Sequence, residues 1–178
     1  MQRTEPAGKL LVVPGAGAVP ARPMIGITSI HRRPFSTHSP TPMSYELRNE
    51  VPSVENYIEI RLAAGLSRKS PEAATVGLRN GLFSVVVYSA NHPVGIGRVI
   101  GDGGCFFEIV DIAVRPEHQK KGLGDMIMKA LMAWVRANAP STAYVSLMAD
   151  HGTPKFYERY GFEPSLPPKK SGMALRIP

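Results

Sequence analysis

Ile112-Ala113-Val114-Arg115-Pro116-Glu117-His118-Gln119-Lys120-Lys121-Gly122-Leu123-Gly124 is the stretch from which the rest of this chain is read. Three apolar residues close a strand. A polar loop follows, and two glycines open a helix reaching about Asn138. Its apolar residues, Leu123, Met126, Ile127, Ala130, Leu131, Trp134 and Val135, recur at helical spacing. The first N–H groups of a helix have no partner within it and carry partial positive charge. Glycine lets a ligand approach them closely. The junction therefore suits an anion such as a pyrophosphate, and Lys120 and Lys121 add charge beside it. It lacks the Gly-Lys-Ser/Thr of a P-loop and the three-glycine spacing of a dinucleotide fold, which sets those two readings aside. Trp134 lies within the apolar stripe and is assigned to the core.

Upstream, Cys105–Val114 is apolar on both faces, as a central strand requires, and Cys105 is read as buried filler. Phe83–Ala90 and Val94–Ile100 are strands, with turns at Asn91-His92-Pro93 and Gly101-Asp102-Gly103-Gly104. Ser70-Pro71-Glu72 reads as an N-cap, a proline at the first helical position and a first-turn acid, so a helix runs to about Asn80. Pro52 to about Ala64 carries a helical stripe of Val54, Tyr57, Ile58, Arg61 and Leu62. Tyr45–Asn49 is a short strand. Downstream, Tyr144–Met148 is a strand. Thr153-Pro154 begins a short helix that stops at Gly161, with Phe162 placed for the contact that follows a glycine C-cap. Met173–Ile177 is a last strand. The order βααβββαβαβ predicts an α+β domain on a mixed sheet.

Residues 1–43 differ from the rest. They are rich in Pro, Gly, Ala, Ser and Thr and hold five cations (Arg3, Lys9, Arg22, Arg32, Arg33) against Glu5, so most of the chain's +7 charge sits there. The basic balance thus belongs to a leader and does not argue for nucleic-acid binding, which calls for a basic stripe with aromatics on the folded part. An acid-poor, hydroxyl-rich start resembles a transit peptide, and Arg33-Pro34-Phe35-Ser36 resembles a mitochondrial cleavage site. The alternative is an upstream extension with Met43 as the functional start. The expected division is a disordered leader over 1–43 and one domain over 44–178, in the cytoplasm or the mitochondrial matrix. One cysteine makes no internal disulfide, scattered histidines suggest no metal, and no apolar run is long enough to span a membrane.

Gln119, Gly122 and Gly124 match the Gln/Arg-x-x-Gly-x-Gly/Ala pyrophosphate loop of the GNAT superfamily of acetyltransferases. Val110-Asp111-Ile112-Ala113-Val114 resembles that superfamily's central strand, and Phe156-Tyr157-Glu158-Arg159-Tyr160-Gly161-Phe162 its Phe-Tyr-x-x-x-Gly-Phe helix. The resemblance covers roughly residues 45–178. It implies the GNAT fold, with a mixed central sheet flanked by helices on both faces, and acetyl-CoA as cosubstrate. It implies that the central strand bulges and splays from the next one, so that the pantetheine arm lies between them. Ile112, Ala113 and Val114 would line that arm and give the thioester oxygen an N–H. Gln119, Lys120, Lys121, Gly122, Leu123 and Gly124 would hold the pyrophosphate.

Attack of an amine on a thioester needs a base for the ammonium proton, donors for the oxyanion and an acid for the departing sulfur. Tyr157 is the acid candidate. Phe156 and Tyr160 share one helix face and Tyr157 lies about 100° away, free to point elsewhere. In the superfamily the tyrosine at this place often protonates the thiolate; a core tyrosine is the alternative. Glu108 is a base candidate, eleven residues before Gln119, a spacing that resembles histone-acetylating members. Asp111 is its rival, since a carboxylate inside an apolar strand is costly unless paired or functional. On a regular strand the two point to opposite sides, and only a bulge brings both to the substrate. Asp111 also resembles part of the Glu-Asp-Ile/Val-x-Val strand of glucosamine-phosphate acetyltransferases, although Val110 replaces the preceding acid. His151 is a solvated loop residue or a pocket wall.

The acids near the pocket suit a cationic small-molecule amine, the expected partner, for a monomer or homodimer. The competing readings are an amino-sugar phosphate, for which Lys169 and Lys170 are the obvious basic pair, protein lysine acetylation, and a sensor that binds acyl-CoA without turnover.

Overall fold

The computed structural model describes residues 44–150 and 152–166. The leader over 1–43, His151, Lys169, Lys170 and the strand expected at Met173–Ile177 lie outside the described residues. Five strands form one sheet: β1 (Tyr45–Arg48), β2 (Phe83–Ser89), β3 (His92–Gly101), β4 (Phe106–Val114) and β5 (Tyr144–Leu147), in that spatial order. The first four pair antiparallel and β4 pairs parallel to β5, so the sheet is mixed. The helices are α1 (Val54–Ala63), α2 (Pro71–Arg79), α3 (Leu123–Asn138) and α4 (Pro154–Glu158). The α+β class agrees with the sequence reading, as does the element order from β1 through α4.

Each face of the sheet has its own core. On one, Tyr57 and Ile60 of α1 and Ala74 and Leu78 of α2 pack against Val86, Ile96 and Ala113. On the other, Leu123, Ile127, Met128, Leu131 and Val135 of α3 cover Val85, Val87, Val99, Phe107 and Ile109. Trp134 joins this second core, stacked on Phe83 at 5.3 Å. What lets α3 come so close is Gly97: a Cβ there would lie 2.3 Å from Ile127 Cγ2 and 3.1 Å from Leu131 Cδ1. Ser70 caps α2 as read, its hydroxyl accepting from the Ala73 N–H at 3.1 Å, with Pro71 in the first turn.

Three sequence readings shift. The stripe read for α1 holds at Tyr57 and Arg61, which are buried, and at Val54 and Ile58, which pack against the core, but its edge moves: Ile60 is buried and Leu62 is 43% exposed. The β2–β3 turn is Ala90-Asn91, both at positive φ, and the strand resumes at His92. Cys105 is exposed, since it belongs to the turn before β4 and not to the strand.

The feature that positions the site is in β4. Ile96 pairs with Ala113 and Arg98 with Val110, so Gly97 alone faces two residues, Asp111 and Ile112. This is a β-bulge, and Asp111 takes its left-handed position at φ 60°. The extra residue reverses the alternation of the strand. Phe107 and Ile109 point to the α3 core before it, and after it Ala113 joins the α1/α2 core while Val114 joins the α3 core.

Candidate active site

Pairing between β4 and β5 ends at Ile109 and Leu147. Beyond that point β5 has ended, and the outer edge of β4 runs on without a strand partner among the described residues. A cavity of about 180 Å³ opens there. Its wall is β4 from Glu108 to Ile112, with Leu147, Met148 and Asp150 from the β5 side, Arg61 and Leu66 from the end of α1, and Tyr157 from α4. Glu108 and Asp111 therefore meet in one cavity. The bulge supplies the condition under which both could face the substrate.

Their surroundings differ. Glu108 is half-buried and forms no hydrogen bond or ion pair with a described residue. Both oxygens of Asp111 are taken: Arg61 Nη1 donates to one, while Arg98 Nη1, at 3.1 Å, and the Tyr57 hydroxyl, at 3.0 Å, donate to the other. Asp150, an acid that sequence reasoning missed, lines the same cavity. Its signal was its place just after β5, beside the His151 that was considered.

Tyr157 is positioned by the rest of α4. Phe156 lies over Gly124, whose Cβ would sit 3.6 Å from the ring, and the Tyr160 hydroxyl donates to the Asp125 carboxylate in the first turn of α3. That face pins α4 to the start of α3 and leaves Tyr157, a quarter-turn away, in the cavity wall. Its hydroxyl has no hydrogen-bond partner among the described residues. Burial raises its pKa above the usual value of 10, with the charge of Asp150 a second cause, so it stays protonated through neutral pH.

At the other end lies the loop. A 3₁₀ turn over Pro116–His118 leads to Lys120 at φ 58° and Gly122 at φ 85°. Gly122 is the N-cap of α3, no side chain caps the helix, and a Cβ at Gly122 would meet nothing within 4 Å. The backbone here is both left-handed and open. The nine residues assigned to the cofactor divide accordingly. The side chains of Ala113, Val114 and Leu123 are buried in the cores, so only their backbones are free to meet a ligand. Gln119 Nε2 donates to the Val114 carbonyl at 2.9 Å, and Lys121 Nζ to the Glu117 carbonyl at 2.8 Å, so both side chains brace the loop. Lys120 is exposed, Ile112 lines the cavity, Gly122 carries the open backbone, and Gly124 lies under Phe156 in the first turn of α3. The site holds an uncapped helix start at one end and an acid, a carboxylate and a strand edge at the other.

The description "Acetyltransferase (GNAT) domain" matches residues 80–164. A probable acetyltransferase of unknown function from meticillin-resistant Staphylococcus aureus is 40% identical, with a TM-score of 0.71 over 75% of this chain and 100% of that one. A GNAT-family acetyltransferase from Streptococcus pneumoniae shares the fold at 22% identity, with a TM-score of 0.64 over 75% and 98% of the two chains. So does glucosamine-6-phosphate N-acetyltransferase from Arabidopsis thaliana, at 17% identity and a TM-score of 0.56 over the same shares. No curated protein matches the chain at significance.

Proposed function

Since this chain belongs to the GNAT family of acetyltransferases, we propose that it transfers an acetyl group from acetyl-CoA to a primary amine, with a small-molecule amine as acceptor. The observation that supports this is that one cavity, beside the β4 edge, is lined by both Tyr157 and Glu108, neither of which has a hydrogen-bond partner for its side chain among the described residues. Acetyl-CoA spans the site, its pyrophosphate on the open amides around Gly122–Gly124 and its pantetheine arm along Ile112–Val114. The fit rests on an uncapped helix start whose glycine leaves room for an anion.

Glu108 takes the proton of the ammonium, and Asp150 adds negative charge that draws a cation in. The amine nitrogen attacks the thioester carbon, and a β4 amide donates to the oxyanion. The C–N bond forms, the C–S bond breaks, and Tyr157 gives its proton to the sulfur. The surplus proton on nitrogen returns to Tyr157 through solvent, and Glu108 releases the other. Both oxygens of Asp111 are already engaged by Tyr57, Arg61 and Arg98, which leaves Glu108 as the carboxylate that faces the amine.

The test is a panel of arylalkylamines, amino-sugar phosphates and lysine peptides with acetyl-CoA and a thiol-release readout. Turnover confined to the phosphates or the peptides would move the acceptor class. Tight coenzyme A binding without turnover of any amine would replace the enzyme by a sensor.

A further inference from the structure

One cluster is left unused by this reaction, and it runs from the cavity wall, where Arg61 and Asp111 stand, into the core beside it. Arg61 and Arg98 are 5% and 4% exposed, and a single carboxylate, Asp111, serves both. Their other donors reach backbone: Arg61 Nη2 to Ser67 O at 2.9 Å, and Arg98 Nη2 to Gly77 O at 2.7 Å in the last turn of α2. The Nε atoms of both arginines are buried and have no partner among the described residues. Two cations thus share one anion, and two donors are orphaned. Stability accounts poorly for such a cluster, because apolar residues of similar volume often serve as well or better.

Its geometry offers another account. Asp111 occupies the bulge position that glycine usually takes. Aspartate tolerates the left-handed region when its short side chain finds a partner. Here the partners come from two other elements, Tyr57 and Arg61 from α1 and Arg98 from β3. They hold the carboxylate on the α1/α2 face, and so fix the course of the chain into Ile112, which lines the cavity.

We propose that Tyr57, Arg61 and Arg98 are positioning residues that clamp Asp111 in its left-handed conformation, and thereby set the β4 backbone along the cavity wall where the acyl oxygen is held. The catalytic half of this rests on the acyl-transfer reading above. Asp111 acts through its backbone and not as a proton acceptor.

The test compares Asp111→Gly with Asp111→Ala in the full chain, beside Arg98→Met and Arg98→Lys. Both Asp111 variants lose the carboxylate, but only glycine adopts the left-handed φ without strain. The glycine variant is expected to exceed the alanine variant in kcat by about tenfold. The KM for acetyl-CoA should agree within about twofold, and both should keep the acidic limb of the pH profile. Equal losses in the two, with that limb gone from both, would make Asp111 the base and overturn the proposal. Amide hydrogen exchange over residues 109–114 reads the clamp without any acceptor, and so separates its failure from failure of the acyl-transfer reading. Exchange should quicken in Arg98→Met and return toward wild type in Arg98→Lys. Unchanged exchange in a folded Arg98→Met protein would also overturn the clamp. If the Met variant does not fold, the Lys variant decides, because wild-type exchange combined with a lost kcat would contradict positioning.

Discussion

The loop at Gln119–Gly124 and the cavity at Glu108–Ile112 lie at the two ends of one strand-to-helix passage, and they are made of opposite materials. The loop is a backbone site: its distinguishing atoms are uncapped amides, and its side chains, the exposed Lys120 aside, either brace it or lie in the core. The cavity is a side-chain site. It gathers groups from α1, β4, β5 and α4, separated by up to 96 positions between Arg61 and Tyr157. A backbone site is written in consecutive letters and can be found as a motif. A side-chain site exists only once the sheet has brought its members together. The difference also predicts which changes each region tolerates, since the loop should be sensitive to Cβ atoms and the cavity to single functional groups.

Tyr157→Phe puts the cavity half under the greatest load. It removes one hydroxyl and leaves the ring. Turnover should fall on the order of 10²–10⁴-fold, with little change in acetyl-CoA affinity, because the hydroxyl matters mainly in the transition state. Steady-state kinetics at saturating acetyl-CoA measure this, with a thermal melt to check folding. The raised pKa gives a second reading. An acid whose pKa lies above 10 stays protonated until that pH is passed, so an alkaline limb due to Tyr157 should appear only above pH 10. Wild-type turnover in the Phe variant would reduce Tyr157 to packing.

Gly97→Ala acts on what both halves share, the seat of α3 on the sheet. Its Cβ would collide with Ile127. Overpacking of this kind costs about 1–3 kcal/mol, which lowers the melting temperature by roughly 3–12 °C. Calorimetry checks it, and an unchanged melt would mean that α3 slides freely.

Gly122→Val confines the damage to the loop. It places a branched side chain at φ 85° in the space left open for an anion. Coenzyme A affinity should drop by about tenfold or more, measured by titration calorimetry on the folded variant. Unchanged affinity would show that the pyrophosphate lies elsewhere.

Tyr160→Phe probes the join between the halves with the smallest expected effect. The Tyr160 hydroxyl donates to Asp125, whose pKa is held below its usual 3.8 by Lys129 first and Tyr160 second. A depressed carboxylate stabilises the fold above its unfolded pKa and loses that contribution as pH falls through the folded value. The variant should therefore melt a few degrees below wild type at neutral pH, and the gap should close as pH falls below about 4. A gap that kept its size through the whole acid titration would assign the loss to the hydroxyl's contact with the Asp125 carbonyl and not with its carboxylate.

Measured against the sequence, the loop was the readable half. Gly122, Gly124 and Gln119 sit in one short run, and Ser70-Pro71-Glu72 announced α2 just as locally. The Tyr157 face followed from helical geometry. The clamp on Asp111 was not readable, because Tyr57, Arg61 and Arg98 are 54, 50 and 13 residues away and no period connects them. The conditional statement about Glu108 and Asp111 marks the boundary. Alternation could say that a bulge was needed to bring them together, but whether one exists depends on pairing with β3, which local sequence does not encode. Cys105 was misplaced for a related reason, since one residue decides whether a turn has ended.

The bulge has one more consequence. It works as a phase shift in the strand's inside–outside code, so the chain after Asp111 is read in a different frame from the chain before it. A substitution at 111 leaves that frame intact. A deletion of Asp111 would restore strict alternation without disturbing that frame: Ile112 would stand opposite Gly97 and Ala113 still opposite Ile96, so Ala113 would stay on the α1/α2 side and Val114 on the α3 side. Removal of that one residue should therefore spare both cores and straighten only the strand edge along the cavity wall, which separates the bulge's part in the site from its part in the fold.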